Sequence, residues 1–315
     1  MPCPVCESVQ DAVLVGRAGL VPGAVHDLVE CPDCLVRYFD PVPSAAELDS
    51  FYNASYYRFD RWHDRGKGQV YARRLVRWKD TGRFLDVGCA AGFFIDEIRR
   101  RTGWEVRGVD FGAEAVRFAR DELGLDVVRG DLGDAGFPDG YFDYIHMNNV
   151  LEHVRDPAGL LGECRRIIKP DGRLYLSVPN GPADSRPLID YYNGGGLPAR
   201  SASGHIFFMP KRALETLFER TGFGVQSRRT GSLKRGLRAV GLYPKKRGWK
   251  SVYELKSPET GSGGKPLESP SRKKYPDLYY RLRFLGDEAN GLPGSLGFGL
   301  DFIFLLRPVT RREPA

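Results

Sequence analysis

The chain has 315 residues, 42% of them hydrophobic and 28% charged, with a formal net charge of +7. These values describe a soluble globular chain of one sizeable domain with additions, and they leave no apolar run of about 18 residues to cross a membrane. The positive balance points to an anionic partner, whether nucleic acid, lipid headgroup or phosphorylated substrate. Met1-Pro2-Cys3 opens no signal peptide, so a cytoplasmic location is expected.

Four of the six cysteines form two pairs, Cys3-Pro4-Val5-Cys6 and Cys31-Pro32-Asp33-Cys34. Each Cys-x-x-Cys hairpin can aim two thiolates at one tetrahedral ion, and proline after the first cysteine stiffens the turn. Short apolar stretches between the pairs, Val13–Val15 and Leu28–Val29, read as ribbon strands. Residues 1–42 are therefore expected to form a zinc ribbon with Cys3, Cys6, Cys31 and Cys34 as ligands. All four positions are filled by thiolates, so the metal is structural. So small a unit has little core, and zinc binding can supply roughly 10 kcal/mol or more to its folding. The alternative is redox thiols or disulfides, against which stand the missing secretion signal and unpaired Cys89 and Cys164.

Residues 43–80 read as a helical lid or linker. Ser44-Ala45-Ala46-Glu47 has the form of a capping box, and Leu48, Phe51 and Tyr52 share one helix face. The tyrosine-rich run 51–57 could close over a ligand or simply pack a helical subdomain. A basic helix is expected from Arg58 to Arg77.

From Arg83 the pattern alternates strand and helix, as a parallel sheet requires. Phe84, Leu85 and Val87 suit a buried strand. Asp86-Val87-Gly88-Cys89-Ala90-Ala91-Gly92 then turns sharply into a helix over Phe93–Arg101. The helix N-terminus points free N–H groups over the turn, at the strand end where open α/β sheets bind ligands. Ala90 and Phe93 stand where the dinucleotide fingerprint wants glycine, which argues against a pyrophosphate on this turn. The second strand, Glu105–Asp110, ends on Asp110, 22 positions after Gly88, where a carboxylate can accept both hydroxyls of a ribose. A helix with Ala115, Val116, Ala119 and Leu123 on one stripe leads to a third strand, 126–130, followed by Asp131-Leu132. A fourth strand, Tyr144–Met147, runs into Asn148-Asn149-Val150-Leu151-Glu152-His153-Val154. A further helix stops at Lys169-Pro170-Asp171-Gly172 before a fifth strand, Arg173–Asn180. Strand six is expected at Phe223–Ser227 and an antiparallel last strand beside it at Leu300–Leu306.

The order of glycine loop, strand-end acid, Gly-Asp, Leu-Glu-His-Val and Lys-Pro-Asp-Gly resembles class I S-adenosylmethionine-dependent methyltransferases. Within them it is similar to the branch of the ubiquinone-biosynthesis O-methyltransferases, over about residues 80–230. The resemblance implies an α/β, Rossmann-like doubly wound sheet whose core spans 81–232 and is completed by a last strand within 296–315. It implies S-adenosylmethionine as cofactor, with Asp131 taking the adenine amine and Leu132 lining the base. With Asp86, Gly88, Ala90, Gly92 and Asp110, it makes Phe111 and Asn148 the remaining cofactor-binding positions.

Methyl transfer from a sulfonium mainly asks the protein to orient and desolvate, and a hydroxyl acceptor also needs a base. His153, after the fourth strand, and His205, after the fifth, are the candidates; the alternative for each is a structural histidine holding its loop. Residues 233–295 form a basic insertion, with Lys245-Lys246-Arg247 and Arg272-Lys273-Lys274, a flexible stretch at 261–266 and an amphipathic helix over Tyr275–Leu285. It could lie on an acidic membrane surface at the inner face, or hold a phosphorylated or lipid-linked acceptor, or be a solvated loop. The expected activity is O-methylation of a small-molecule or glycan- or lipid-linked acceptor. An RNA base methyltransferase, a sugar C-methyltransferase and a non-enzymatic cofactor-binding scaffold stay open as alternatives. Nucleic acid is the less favoured partner, because no Asn-Pro-Pro-Tyr-type string follows the fourth strand and the aromatics lie away from the basic clusters.

Overall fold

The computed structural model describes residues 2–21, 24–54, 61–195, 199–200, 203–231, 278–279, 281–282 and 301–309, with the backbone alone at 52–54 and 199–200. The tyrosine run beyond Phe51 and nearly all of the basic insertion lie outside the described side chains. Among the described residues no helix is long and apolar enough to cross a membrane.

Both Cys-x-x-Cys hairpins close in the same way. The residue four past the first cysteine returns its N–H to that cysteine's carbonyl, at 2.9 Å for Glu7 to Cys3 and 2.9 Å for Leu35 to Cys31. Both returning residues take positive φ, 60° at Glu7 and 63° at Leu35. From these hairpins run β1 (Val13–Gly19), β2 (His26–Glu30) and β3 (Arg37–Asp40), an antiparallel meander. The ribbon does not end with residue 42, as the sequence suggests. Two short segments from deep in the chain complete its sheet: β9 (Ala199–Arg200) pairs parallel with β1, and β10 (Phe207–Phe208) pairs antiparallel with β3. A three-stranded ribbon leaves two edges of unpaired N–H and C=O groups, and these pairings satisfy part of both.

Helix α1 (Ala45–Ala54) starts at the expected capping box. Ser44 N–H and Oγ–H both donate to Glu47 Oε2 at 2.8 Å, and Glu47 N–H returns to Ser44 Oγ at 3.2 Å. The other carboxylate oxygen, Oε1, lies 2.8 Å from Nε2 of His26, which ties this helix to the ribbon. The basic helix expected before the first core strand is present as α2 (Arg61–Trp78), but much of it is buried. Residues from Gly66 to Ala72 are all buried, because α2 packs closely on α3 (Phe93–Arg101). Gly68 lets the two backbones approach; a Cβ there would lie 2.6 Å from the Phe94 carbonyl oxygen.

The main sheet contains β4 (Arg83–Val87), β5 (Glu105–Asp110), β6 (Asp126–Arg129), β7 (Phe142–Asn148), β8 (Ile168–Pro179), β11 (Phe223–Gly231) and β12 (Asp301–Pro308). Its order is β11-β12-β8-β7-β4-β5-β6, with β12 antiparallel to both neighbours and the other pairings parallel. Strand order reverses between β4 and β7, so the crevice beyond their C-terminal ends is the place where this architecture binds ligands. Helices α4 (Ala113–Asp121), α5 (Pro157–Ile167), α6 (Gly181–Asn193) and α7 (Lys211–Arg220) complete the layers. The last strand lies between the fifth and sixth core strands, which is the Rossmann-like arrangement expected. One local difference concerns Lys169–Gly172, expected to be a turn. It is part of β8, where Ile168 pairs with Phe142 across a register shift.

Asp143 of β7 joins three elements near the opposite end of the sheet. It accepts from Lys79 Nζ, from Lys169 Nζ at 2.8 Å and from the Arg83 N–H at 2.9 Å. Burial pushes its carboxyl up, but these donors more than reverse that and leave it below its ordinary value of 3.8. Its folded pKa is depressed, so its stabilising contribution is present above the ordinary value and is lost as pH falls through the folded one. The stability difference between wild type and Asp143→Asn, read from urea midpoints, is therefore expected to be constant at neutral pH and to shrink under acid. A difference that does not change down to pH about 3 would show that the network carries no net charge effect.

Candidate active site

The turn after β4 takes positive φ at Gly88 (75°), Ala90 (49°) and Gly92 (79°), and Gly92 is the N-cap of α3. Gly88 also has no room for a side chain, since a Cβ would collide with Val150 Cγ2 in the loop after β7. Ala90 takes the left-handed conformation without glycine's freedom, and Asp110 holds it there. Asp110, at the end of β5, accepts the Ala90 N–H on Oδ2 and the Gly112 N–H on Oδ1, both at 2.8 Å. Each oxygen keeps acceptor capacity for a further donor. Burial raises this carboxyl, and the two backbone donors lower it in part. Phe111, the next residue, is 54% exposed. Leu132 is buried under the same edge, while Asp131 is exposed at the tip after β6. Asn148 ends β7, half-buried.

Asp86 belongs beneath the turn and not in it. It is 4% exposed, and its Oδ1 lies 2.6 Å from His146 Nδ1. His146 is stacked on Tyr175 with centroids 4.9 Å apart. Burial drives its pKa well down, with Lys67 adding to the effect, so the ring is neutral. Burial also raises Asp86 to about 8 and lowers Lys67 to about 8, each partly restored by the other's charge. Asp86, expected among the cofactor-binding positions, is thus buried below the turn and paired with a histidine of the neighbouring strand. His146 and Lys67, which sequence reasoning missed, hold it from the neighbouring strand and from α2. The available signal was a histidine between Ile145 and Met147 in a strand read as buried, since a buried imidazole needs a polar neighbour, and the parallel register sets it beside Asp86.

His153 and His205 come together from loops 52 residues apart, with ring centroids 4.7 Å apart. His153 donates from Nδ1 to the Gly204 carbonyl at 3.1 Å. Burial, then His205, pushes His153 down to about 3, so it stays neutral. His205 Nδ1 lies 2.6 Å from Asp184 Oδ2 on α6. Burial lowers His205, but Asp184 more than reverses it, leaving the ring more basic than an ordinary histidine. Glu152 anchors the His205 loop by its backbone, its carbonyl accepting the N–H groups of Ile206 (2.9 Å) and Phe207 (3.1 Å). Glu152 lies just past the C-terminal end of β7, so the His205 loop is tied to the same end of the sheet as the glycine turn. The Glu152 carboxyl is buried with neither oxygen hydrogen-bonded among the described residues, and burial raises it to about 8. One ligand atom from each of Glu152, His153 and His205 lies within 4.8 Å of the others, so these are the residues that could hold a cation on this side. Asp184 was invisible from sequence, because only the packing of α6 brings it to His205.

The four cysteines also converge. Their sulfurs all lie within 4.8 Å of one another, with Cys3 to Cys34 at 3.8 Å and Cys6 to Cys31 at 3.6 Å, and none is in a disulfide. Four thiolates about 2.3 Å from one tetrahedral ion would stand roughly 3.8 Å apart, so the donor set fits zinc.

A sequence profile of the methyltransferase domain matches residues 59–228, more than half of the 315 residues. The chain belongs to the methyltransferase family. The match runs from just before α2 into β11 and so takes in the glycine turn, Asp110 and both histidines. The methyltransferase is 33% identical to the ubiquinone biosynthesis O-methyltransferase of Thiobacillus denitrificans over 123 residues, 35% of this chain and 52% of that protein. It is 36% identical to the protein of the same name from Xanthomonas euvesicatoria over 151 residues, 43% of this chain and 61% of the relative. It thus spans about half the length of the curated relatives it matches. Among solved structures, a methyltransferase of Thermotoga maritima superposes with a TM-score of 0.44 at 17% identity, covering 84% of this chain and 95% of that one.

Proposed function

We propose that this methyltransferase transfers a methyl group from S-adenosylmethionine to an oxygen of a small-molecule or glycan- or lipid-linked acceptor, with His205 as the base. The observation that carries the reading is the His205–Asp184 contact at the same end of the sheet as the Asp110-bound turn. The O-methyltransferase relatives support oxygen as the acceptor atom. The cradle fits the cofactor: Asp110 keeps acceptor capacity for the ribose, Phe111 offers an open face for the base, and α3 presents its N-terminus over the turn.

When bound, S-adenosylmethionine supplies a methyl already activated on a sulfonium. The chain's own part is to place it and to receive a proton. Asp110 would orient the ribose, and Asp131 and Leu132 would receive the adenine edge and face. His205 would take the acceptor hydroxyl's proton on Nε2, while Asp184 holds Nδ1. His153, neutral and donating to Gly204, would fix the loop on which His205 stands, which makes it a positioning residue. Cys3, Cys6, Cys31 and Cys34 would hold a structural zinc ion. The basic residues of 233–295 suit an anionic acceptor or the acidic membrane surface on which a lipid-linked acceptor lies.

The test is methyl transfer from labelled S-adenosylmethionine into fractionated extract. Label is expected in the small-molecule or lipid-linked fraction as a methyl ether. Label in RNA that elutes with rising salt would replace this reading with the base-methylating one. His205→Gln is expected to lower kcat about 10²- to 10⁴-fold with cofactor affinity unchanged. Full turnover by that variant would remove His205 from the base role.

A further inference from the structure

The loop that carries His205 is held at both ends by the ribbon. Before it, β9 pairs with β1 through Ala18 and Ala199. After it, β10 pairs with β3, Tyr38 opposite Phe207 and Arg37 opposite Phe208. The Phe39 N–H also reaches the Ile206 carbonyl at 3.3 Å. The same β3 reaches the helix opposite the loop. Arg37 donates from Nη1 to Ser185 Oγ at 2.9 Å, while its Nε donates to Glu30 Oε2 at 2.6 Å. Ser185 is fully buried on α6, and its own hydroxyl donates a hydrogen bond to the Gly181 carbonyl at 2.8 Å. The residue next to Ser185 is Asp184. One strand of the ribbon therefore grips both halves of the Asp184–His205 contact, the helix through Arg37 and the loop through β10. Gly204 completes the fit on the third side. Its φ is +74°, and a Cβ there would lie 2.5 Å from the Phe51 ring of α1.

An imidazole has two ring nitrogens, and the one hydrogen-bonded to a carboxylate keeps the proton. Asp184 at Nδ1 thus leaves Nε2 with its lone pair on the side of Glu152, 3.9 Å from Oε1. We propose that Asp184 and Arg37 are positioning residues for the acceptor side: Asp184 fixes the His205 ring with its proton on Nδ1, and Arg37 of the ribbon fixes the helix that carries Asp184. The inference rests on the reading of His205 as the base. It gives the cysteine ribbon a task in the reaction that none of its own residues performs directly.

The experiment uses the full chain labelled with ¹⁵N-histidine, whose two-bond ¹H–¹⁵N correlations report the tautomer of each ring. His205 is assigned by its loss in His205→Gln. Asp184→Ala is expected to move His205 from the Nδ1–H form toward the Nε2–H form favoured by free histidine. Asp184→Asn, which keeps an acceptor oxygen, should hold the ring largely in place. Arg37→Met should shift the His205 signal in the same direction as Asp184→Ala, and Arg37→Lys should restore part of it. In every variant the buried His146 signal should stay put, and S-adenosylhomocysteine should bind within about twofold of wild type.

An unchanged His205 signal in both Asp184→Ala and Arg37→Met would overturn the proposal. So would a loss of S-adenosylhomocysteine affinity that tracks the His205 change, because the ribbon would then hold the whole molecule and not the acceptor side. Failure of the base reading looks different: His205→Gln would turn over normally while the tautomer still answers to Asp184.

Discussion

Asp110→Ala is expected to weaken S-adenosylmethionine binding by two to three orders of magnitude or more. The Asp110 carboxylate oxygens reach the turn, and on the proposed reading they would make two kinds of contact. Hydrogen bonds from ribose hydroxyls to a carboxylate are worth roughly 1.5–3 kcal/mol each, so losing both costs about 3–6 kcal/mol, and each 1.4 kcal/mol is about tenfold in Kd. The same oxygens hold the Ala90 and Gly112 N–H groups at 2.8 Å, so the substitution also loosens the turn. The two effects can be separated with a cycle that pairs Asp110→Ala with a ribose-deoxygenated S-adenosylhomocysteine. If Asp110 binds the ribose, the wild type loses affinity on deoxygenation and the variant loses little more. Additive losses would mean that Asp110 supports the turn without touching the sugar. Calorimetric affinity within threefold of wild type would remove Asp110 from the cofactor site altogether.

Cys31→Ser is expected to have the second large effect, and its reach follows from the shared sheet. Removing one of four thiolates should abolish metal retention, with a loss in the ribbon's folding free energy of several kcal/mol against the roughly 10 kcal/mol or more that such an ion supplies. On sequence grounds the ribbon should unfold before the core is touched. The pairings of β9 with β1 and of β10 with β3 extend the damage into the loop that carries His205. Hydrogen exchange should therefore lose protection at 13–40 and at 199–208 together, while 83–110 stays protected. Acceptor turnover should fall with cofactor affinity unchanged. Protection retained at 199–208 in a metal-free variant would show that the core holds that loop by itself. Metal analysis of the wild type that finds no zinc would return the four cysteines to a thiol cluster.

Much of the cofactor half is legible because its information is local. A buried strand, a glycine, a left-handed turn and a helix start follow one another within ten residues, and Asp110 closes the turn from the very next strand. The capping box at Ser44 and the twin hairpins at Cys3 and Cys31 are local in the same sense. Each is decided by hydrogen bonds between residues three or four positions apart, so spacing alone reveals them. Asp86 shows where local reasoning stops. Its place in the motif suggests a ligand contact, but which face of a strand a residue takes, and what waits beneath it, depends on the neighbouring strand and on α2. His146 and Lys67 supply that environment from elsewhere in the chain.

The acceptor half is different in kind. His153 and His205 stand out by residue type, and their positions after two core strands place them at the C-terminal end of the sheet. Asp184 and Arg37 do not stand out, because a surface-like aspartate on a helix and an arginine on a ribbon strand have no periodicity that marks them. Residue types and short spacings determined the methyltransferase core, the glycine turn, the strand-end acid and the four-thiol cluster. Only the tertiary structure decided that Asp86 lies under the turn, that α2 is buried, and that core segments complete the ribbon's sheet around His205. The physical reason is that an open sheet edge constrains its partner only through backbone groups, which every residue carries alike, so long-range closure and not local sequence chooses what pairs there.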